Sequence, residues 1–379
     1  MTDALSPYTA ILLASYGGPR RSQDVLPFMR NATAGRGIPD ERLIDVSQHY
    51  HLFGGRSPIN EQNEALRDAL SAELARRGCP RDVVIGNRNW TPFFAETVAG
   101  LRDGGHERVL ALTTAAYSCY SSCRQYREDL ADAMKDVPDV SIDKAGPYAE
   151  RPGFISANVD ALTAAARAMR KRLGGARTDA GAGASANRGR MKILFVTHSI
   201  PTAMNEASAD GTRPARYDAQ HMRVAGRVAE RVAAALGEEL DWELTYCSRS
   251  GDPRVPWLEP DVNDRMEEIA GDVDGIVVAP IGFISDHMEV AYDLDTQARE
   301  TASRIGVDYE RAATAGTHPD FVSALADLLL EHAAAARGEV PAPDHPCLRD
   351  DVECCLPGAR HPGKAEHGRL DHPLASAKA

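Results

Sequence analysis

The sequence lacks the two features that mark membrane-spanning and nucleic-acid-binding proteins. No run of apolar residues reaches the roughly 20 positions that a transmembrane helix needs. The N-terminus also has no charged segment followed by an apolar one, as a secretory signal would. Basic residues are outnumbered, 43 against 55 acidic ones, so the formal net charge is −12, which argues against nucleic acid and anionic membranes as partners. We therefore expect a cytoplasmic protein without a membrane span.

Cysteine is scarce as well, with seven residues in a chain of 379. In the absence of a secretory signal, this argues against a disulfide framework and for free thiols or metal ligands. Cys79 and Cys247 are expected to be buried apolar thiols. Three others, Cys347, Cys354 and Cys355, lie closer together than chance would place them, in a proline-rich C-terminal segment.

Short β-branched runs alternate with helical patterns along the chain, which is typical of an α/β fold. Strands are predicted at 10–14, 83–88, 109–115, 140–142, 193–196, 242–247 and 276–280. Helices are predicted at 58–76, 155–173, 218–236, 262–271, 289–304 and 319–337. This alternation predicts two doubly wound, Rossmann-like domains with parallel sheets, and a ligand in a cleft between them.

The chain is long enough for these two domains. The N-terminal α/β domain is expected at 1–173 and the C-terminal one at 191–340. Between them, 174–190 is rich in Gly, Ala and polar residues and is read as a flexible insertion. Residues 341–379 form a cysteine-containing C-terminal extension and tail.

Polar side chains follow two of the predicted strands. His198 comes just after the strand at 193–196, and Glu289 comes soon after the strand at 276–280. Ligands of open α/β sheets bind at the carboxyl ends of the strands, where a histidine and a carboxylate can bind a divalent metal or pass a proton. On position alone, a histidine bonded within a turn is an equally good interpretation. Asp293, four residues after Glu289, would extend the acidic face of a helix.

These stretches carry a family resemblance. The sequences VTHSIP at 196–201 and GFISDHMEVAYDLD at 282–295 resemble ferrochelatase, which inserts ferrous iron into a porphyrin. LASYGGP at 13–19 and GGRSP at 54–58 resemble the first loops of the same family. The four motifs occur in order across roughly residues 8–335, which is far more specific than one pattern.

The resemblance implies a chelatase-type fold and a set of catalytic residues. His198, Glu289 and Asp293 would be catalytic, with His198 and Glu289 binding the Fe²⁺ substrate. Whether His198 is the proton acceptor or the first iron ligand stays open. The family has a further acidic side chain about where Gln297 stands, and Gln297 cannot titrate. Asp286 and His287 are read as turn or capping residues.

The resemblance is strongest to the actinobacterial type, which uses coproporphyrin III. Porphyrin contacts would then come from Tyr16, Arg36, Ser57, Arg124 and Tyr126, with Tyr16 facing the metal opposite the histidine. We expect a monomer whose partners are coproporphyrin III and ferrous iron, with a transient contact to the next heme-pathway enzyme. Alternatives are a protoporphyrin IX ferrochelatase, another tetrapyrrole metal chelatase, and a tetrapyrrole or metal carrier without turnover.

Some enzymes of the actinobacterial type carry a [2Fe-2S] cluster, which needs four thiolates. By resemblance its ligands would be Cys123 from mid-chain together with Cys347, Cys354 and Cys355. Cys119 is the alternative fourth ligand. A zinc site using these thiols with His345 or His361, and an unmetallated tail, are the competing interpretations.

Overall fold

The computed structural model describes residues 3–35, 37–179, 189–208, 216–250, 254–341 and 355, and the side chains of 175–179 are left out. Among these residues the strands form two sheets of four. The first contains β1 (Ala10–Ser15), β2 (Asp82–Asn87), β3 (Arg108–Thr113) and β4 (Ser141–Lys144). The second contains β5 (Met191–His198), β6 (Asp241–Cys247), β7 (Gly275–Ala279) and β8 (Asp308–Arg311).

Both sheets are parallel, with strand orders β2-β1-β3-β4 and β6-β5-β7-β8. The central strand β1 is buried at all six positions, as expected for a parallel sheet that is covered on both faces. The predicted α/β class with parallel sheets is therefore confirmed.

Helices cover the sheets. In the first half of the chain they are α1 (Val25–Ala32), α2 (Asp40–His51), α3 (Ile59–Arg76), α4 (Phe94–Asp103), α5 (Gln125–Met134) and α6 (Pro152–Asp179), with a short π-helix at Tyr120–Arg124. In the second half they are α7 (Thr202–Ala207), α8 (Tyr217–Leu236), α9 (Val262–Glu268), α10 (Arg299–Ile305) and α11 (Pro319–Ala336). A longer π-helix spans Glu289–Ala298. Helix α3, predicted at 58–76, buries the apolar residues Ile59, Leu66, Leu70 and Leu74.

The compact units of the structure are not contiguous in sequence. One comprises Met1–Tyr148, Ala203–Tyr217 and Phe321–Ala379, and the other Ala149–Thr202 and Asp218–Asp320. This division differs from the predicted domain boundaries at 173 and 191. Helix α6 packs on β7 and β8 of the second sheet, and the body of α11 belongs to the first unit. Sequence periodicity identifies an amphipathic helix but not the sheet on which it packs.

The sequence missed several elements. Strand β8, helix α4 and helix α5 are not among the predicted elements, because segments of 4, 10 and 10 residues are shorter than the window of roughly 11–18 residues over which hydrophobic periodicity is recognised. Helix α6 continues to Asp179 and so enters the segment read as an insertion at 174–190, of which 180–188 lie outside the described residues.

Candidate active site

His198 is the last residue of β5, in the second unit. The preceding residues Ile193, Leu194, Phe195 and Val196 are almost completely buried, because both faces of this central strand are covered. Parallel pairing aligns His198 with Cys247 at the end of β6. The imidazole therefore emerges at the carboxyl edge of the sheet, as predicted.

Glu289 reaches the same edge from β7. The connection from β7 passes so close to β5 that a Cβ on Gly282 would lie 2.0 Å from Thr197 Oγ1. The Gly282 amide also donates to the Val196 carbonyl over 3.1 Å. Only glycine permits this approach, and the approach brings the start of the Glu289–Ala298 π-helix beside His198.

The two side chains form a pair. His198 Nε2 lies 3.3 Å from Glu289 Oε1, and the side chains are 31% and 42% exposed. Burial disfavours the charged imidazolium, but the Glu289 carboxylate outweighs it and raises the pKa of His198 to about 9. Burial likewise disfavours the carboxylate, and the His198 charge overcomes this to lower the pKa of Glu289 to about 2. At neutral pH the pair is therefore an imidazolium and a carboxylate.

His287 caps the π-helix. Its Nδ1 accepts a hydrogen bond from the Glu289 amide over 3.1 Å, so a neutral ring carries its proton on Nε2. Burial lowers the pKa of His287, which favours this neutral form. The capping role expected of His287 is confirmed, and the cap fixes the backbone from which the Glu289 side chain projects.

Asp293 continues the acidic face along the π-helix. Burial, with the nearby charge of Glu289, raises the pKa of Asp293 to about 7, although a hydrogen bond from Ser248 opposes the shift. Ser248 follows β6 and has a left-handed backbone, with φ of 61°, which is uncommon for a residue other than glycine. Its hydroxyl donates to Asp293 Oδ2 and lies 3.3 Å from Cys247 Sγ. Ser248 is a residue of the site that sequence reasoning missed.

A cluster of two tyrosines and an arginine lies in the first unit. Tyr16 follows β1 and is 38% exposed. The guanidinium carbon of Arg88 lies 5.8 Å from the centre of its ring and 4.8 Å from that of Tyr126, within the range of a cation–π contact. Arg88 Nε donates to Asp129 over 2.6 Å. The sequence missed Arg88, although it follows β2 and so lies at the carboxyl edge of its sheet.

The family model described as Ferrochelatase matches residues 8–333. The chain belongs to the ferrochelatase family. Coproporphyrin III ferrochelatase of Streptomyces griseus subsp. griseus is 44% identical over 380 residues, which cover 95% of this chain and 96% of that protein. Coproporphyrin III ferrochelatase of Streptomyces coelicolor is 46% identical over 358 residues, covering 90% and 91%. A ferrochelatase of Rhodopirellula baltica is 40% identical over 367 residues, covering 94% and 96%.

The residues expected to contact the porphyrin differ in burial and in the partners that they already have. Ser57 is buried against the glycine turn after β1, where a Cβ on Gly18 would lie 2.7 Å from Ser57 Cβ. Tyr126 is also buried, and burial raises its pKa to about 12. Arg124 Nε donates to Glu128 over 2.9 Å, and both side chains are largely buried. Arg36 lies outside the described residues.

The cysteines expected to bind a cluster are described only in part. Cys123 is buried, and the Lys144 amino group donates to its sulfur over 3.4 Å. Cys355 is buried too, whereas Cys347 and Cys354 lie outside the described residues. Cys119 instead contacts the hydroxyls of Ser121 and Ser122 at 3.3 and 3.1 Å, and burial raises its pKa. The predicted burial of Cys79 and Cys247 is confirmed.

The described ranges contain neither a membrane-spanning helix nor a cluster of metal-binding side chains. Within them no helix is both long and apolar enough to cross a membrane. No group of three or more His, Cys, Asp and Glu side chains is arranged there to bind a metal ion. The His198–Glu289 pair supplies two such side chains. A cation bound by this pair would therefore have further coordination positions open to water or substrate.

Proposed function

We propose that this protein inserts ferrous iron into coproporphyrin III to give iron coproporphyrin III in heme biosynthesis. Membership of the ferrochelatase family supports the reaction, and the names of the relatives at 44% and 46% identity support the substrate. The single structural observation that carries the reaction is the pairing of His198 with Glu289 at the carboxyl edge of the second sheet. Imidazole and carboxylate suit a divalent cation such as Fe²⁺.

The first proposed step is an exchange of a proton for the iron substrate. His198 cannot bind a metal while its ring carries two protons. A dication next to Glu289 offsets the carboxylate charge that keeps His198 protonated, so His198 Nε2 releases its proton as iron binds. Glu289 remains as the anionic partner. Iron uptake by the pair is therefore coupled to loss of one proton.

The second proposed step moves protons away from the porphyrin. Insertion of Fe²⁺ into the ring displaces two pyrrole protons, and both must reach solvent. After iron leaves the pair, His198 can take up one proton, since Glu289 then raises its pKa again. Asp293, with a pKa of about 7, can accept and release a proton near neutral pH. We propose that the track ends at Asp293 and Ser248, because Gln297 does not titrate.

The proposed porphyrin contacts are Tyr16, Arg36, Ser57, Arg124 and Tyr126, with the addition of Arg88. Coproporphyrin III has four propionates and protoporphyrin IX two, so the former benefits more from cationic and polar groups. Each charge-assisted hydrogen bond to a propionate contributes about 1.5–3 kcal/mol. Arg124 already bonds Glu128, so a propionate would share its guanidinium with that carboxylate.

We further propose that Cys123, Cys347, Cys354 and Cys355 bind a [2Fe-2S] cluster. The buried Cys123 sulfur with the Lys144 amino group beside it fits this role, because a nearby cation stabilises the thiolate that iron requires. The cluster would supply a covalent link between the C-terminal segment and Cys123, which lies in the short π-helix at Tyr120–Arg124. No step of iron insertion is assigned to the cluster. We also propose that the protein acts in the cytoplasm as a monomer.

Anaerobic metalation tests the proposed function. The protein is mixed with ferrous iron and an equimolar mixture of coproporphyrin III and protoporphyrin IX in buffer without detergent, and the Soret bands are followed. We expect repeated turnover with marked preference for coproporphyrin III. Preference for protoporphyrin IX would refute the substrate assignment alone. Stoichiometric binding without turnover would instead identify a carrier.

A further inference from the structure

The side chain of Arg311 connects two carboxylates on either side of Glu289. Arg311 is the last residue of β8, and its side chain is 15% exposed. Its Nη1 and Nη2 donate to the two oxygens of Asp286 over 3.3 and 3.1 Å. Its Nε donates to Asp295 over 2.7 Å. One guanidinium therefore bonds the loop before Glu289 and the π-helix after it.

A second side chain of β8 contacts the same helix. The Tyr309 hydroxyl donates to the Leu294 carbonyl over 2.7 Å. Alternate residues of a strand share a face, so Tyr309 and Arg311 both face the π-helix. Glu310 lies between them on the other face and pairs with Arg172 over 2.6 Å.

These bonds hold an uncommon element. A π-helix is rare and occurs mostly as a single turn, frequently at a functional site. Asp286 is fixed further, because Oδ1 accepts from the Thr314 hydroxyl over 3.1 Å. Both ends of the segment that carries Glu289 are thus tied to one planar cation on β8.

We propose that Arg311 is a positioning residue, which holds the π-helix so that the Glu289 carboxylate stays in contact with His198. This rests on the proposed metalation activity. Arg311 does not touch the substrate in this account and acts through Glu289. Lysine retains the charge, but it cannot reproduce the planar fork that bonds Asp286 and Asp295 together.

A double-mutant cycle tests the proposal. Arg311→Lys and Arg311→Gln are made in the wild-type protein and in the Glu289→Gln background, with Glu310→Gln as the control on the same strand. In the wild-type background we expect about a tenfold loss of kcat, with the KM for coproporphyrin III unchanged within twofold, since small displacements of reacting groups are costly. In the Glu289→Gln background the same substitutions should cause no further loss, because residues that act through one another are not additive.

A loss of equal size in both backgrounds would overturn the proposal, as would an unchanged kcat in Arg311→Lys. If Arg311→Gln does not fold, Arg311→Lys alone completes the cycle. A readout without porphyrin separates this inference from the proposed function. NMR titration of His198 in the free protein should show a lower pKa in Arg311→Lys and an unchanged one in Glu310→Gln. If wild type fails to metalate coproporphyrin III, the proposed function falls, and the NMR comparison still decides whether Arg311 positions Glu289.

Discussion

His198 Nε2 lies 3.3 Å from Glu289 Oε1. His198 is the last residue of β5, and Glu289 is the first residue of the π-helix that follows the neighbouring strand β7. Each side chain holds the other in its charged form against the cost of burial. The pair can therefore exchange a proton for a cation without leaving an unpaired charge at the site.

Removal of either partner should abolish most of the metalation rate. We expect His198→Ala and Glu289→Gln to lose at least about a hundredfold in kcat, in line with roughly 10²–10⁴ for a positioned acid–base group, while coproporphyrin III binding persists. Anaerobic Soret kinetics and fluorescence quenching measure the two quantities. His106→Ala and Asp82→Asn, which disrupt a His–carboxylate pair at 3.4 Å elsewhere, are the controls. A near wild-type rate in either site variant would remove that residue from the mechanism.

The coupling within the pair can be measured directly. In wild type, NMR titration should give a pKa for His198 of about 9. Glu289→Gln removes the carboxylate that raises it, and burial, which lowers it, remains. The pKa of His198 in Glu289→Gln should therefore fall well below that of the wild-type protein, with only the Ser199 carbonyl and Asp293 left to raise it. A value unchanged from wild type would show that another group keeps the ring protonated.

Asp293 should make stability depend on pH. Its pKa in the folded protein is about 7, above the value of about 3.9 in an unfolded chain. The wild-type protein therefore loses stability as the pH rises from about 4 to about 7, because over that range the carboxyl ionises in the unfolded chain but stays protonated in the folded one. Asn does not titrate, so the stability of Asp293→Asn relative to wild type should increase between about pH 5 and about pH 7. Urea unfolding at the two pH values measures it, and a relative stability that decreases with pH would contradict the assignment.

The proposed cluster makes an analytical prediction. Anaerobically purified protein should contain iron and acid-labile sulfide in equal amounts, and Cys123→Ser should lose both together with thermal stability, because a bound group stabilises the folded state. Cys79→Ser, at a buried thiol near the Leu74 carbonyl, is the control. Loss in Cys119→Ser but not in Cys123→Ser would reassign the fourth ligand. Stoichiometric zinc without sulfide would replace the cluster by a zinc site.

Replacing Tyr16 by Phe should change the absorption spectrum of the bound product more than it changes the affinity for the porphyrin substrate. Its ring packs near Phe28, with centres 6.2 Å apart, and beside Arg88, so Tyr16→Phe retains the ring contacts and removes only the hydroxyl. We expect porphyrin affinity within about twofold of wild type, and a changed absorption spectrum of bound iron coproporphyrin III if the hydroxyl approaches iron. Tyr8→Phe, at a buried tyrosine bonded to Asp143, should leave the spectrum unchanged. An identical spectrum in Tyr16→Phe would exclude the contact with iron.

The sequence by itself determined the α/β class, most strands, and the edge at which His198 and Glu289 meet. Buried β-branched runs identify strands, and a polar residue just after such a run must emerge at the carboxyl edge. The His287 cap could also be anticipated from the sequence, because it joins two residues that are only two positions apart.

Only the tertiary structure decided the rest. The charged state of His198 depends on the distance and burial of Glu289, and the contacts of Ser248 with Asp293 and of Arg311 with Asp286 join residues far apart in the chain. The segment Glu289–Ala298 is too short for its apolar periodicity to distinguish a π-helix from an α-helix. Packing against β8 therefore sets its geometry. The assignment of α6 and α11 to units likewise depends on which sheet buries each apolar face, because hydrophobic burial is non-directional and the local sequence does not specify its partner.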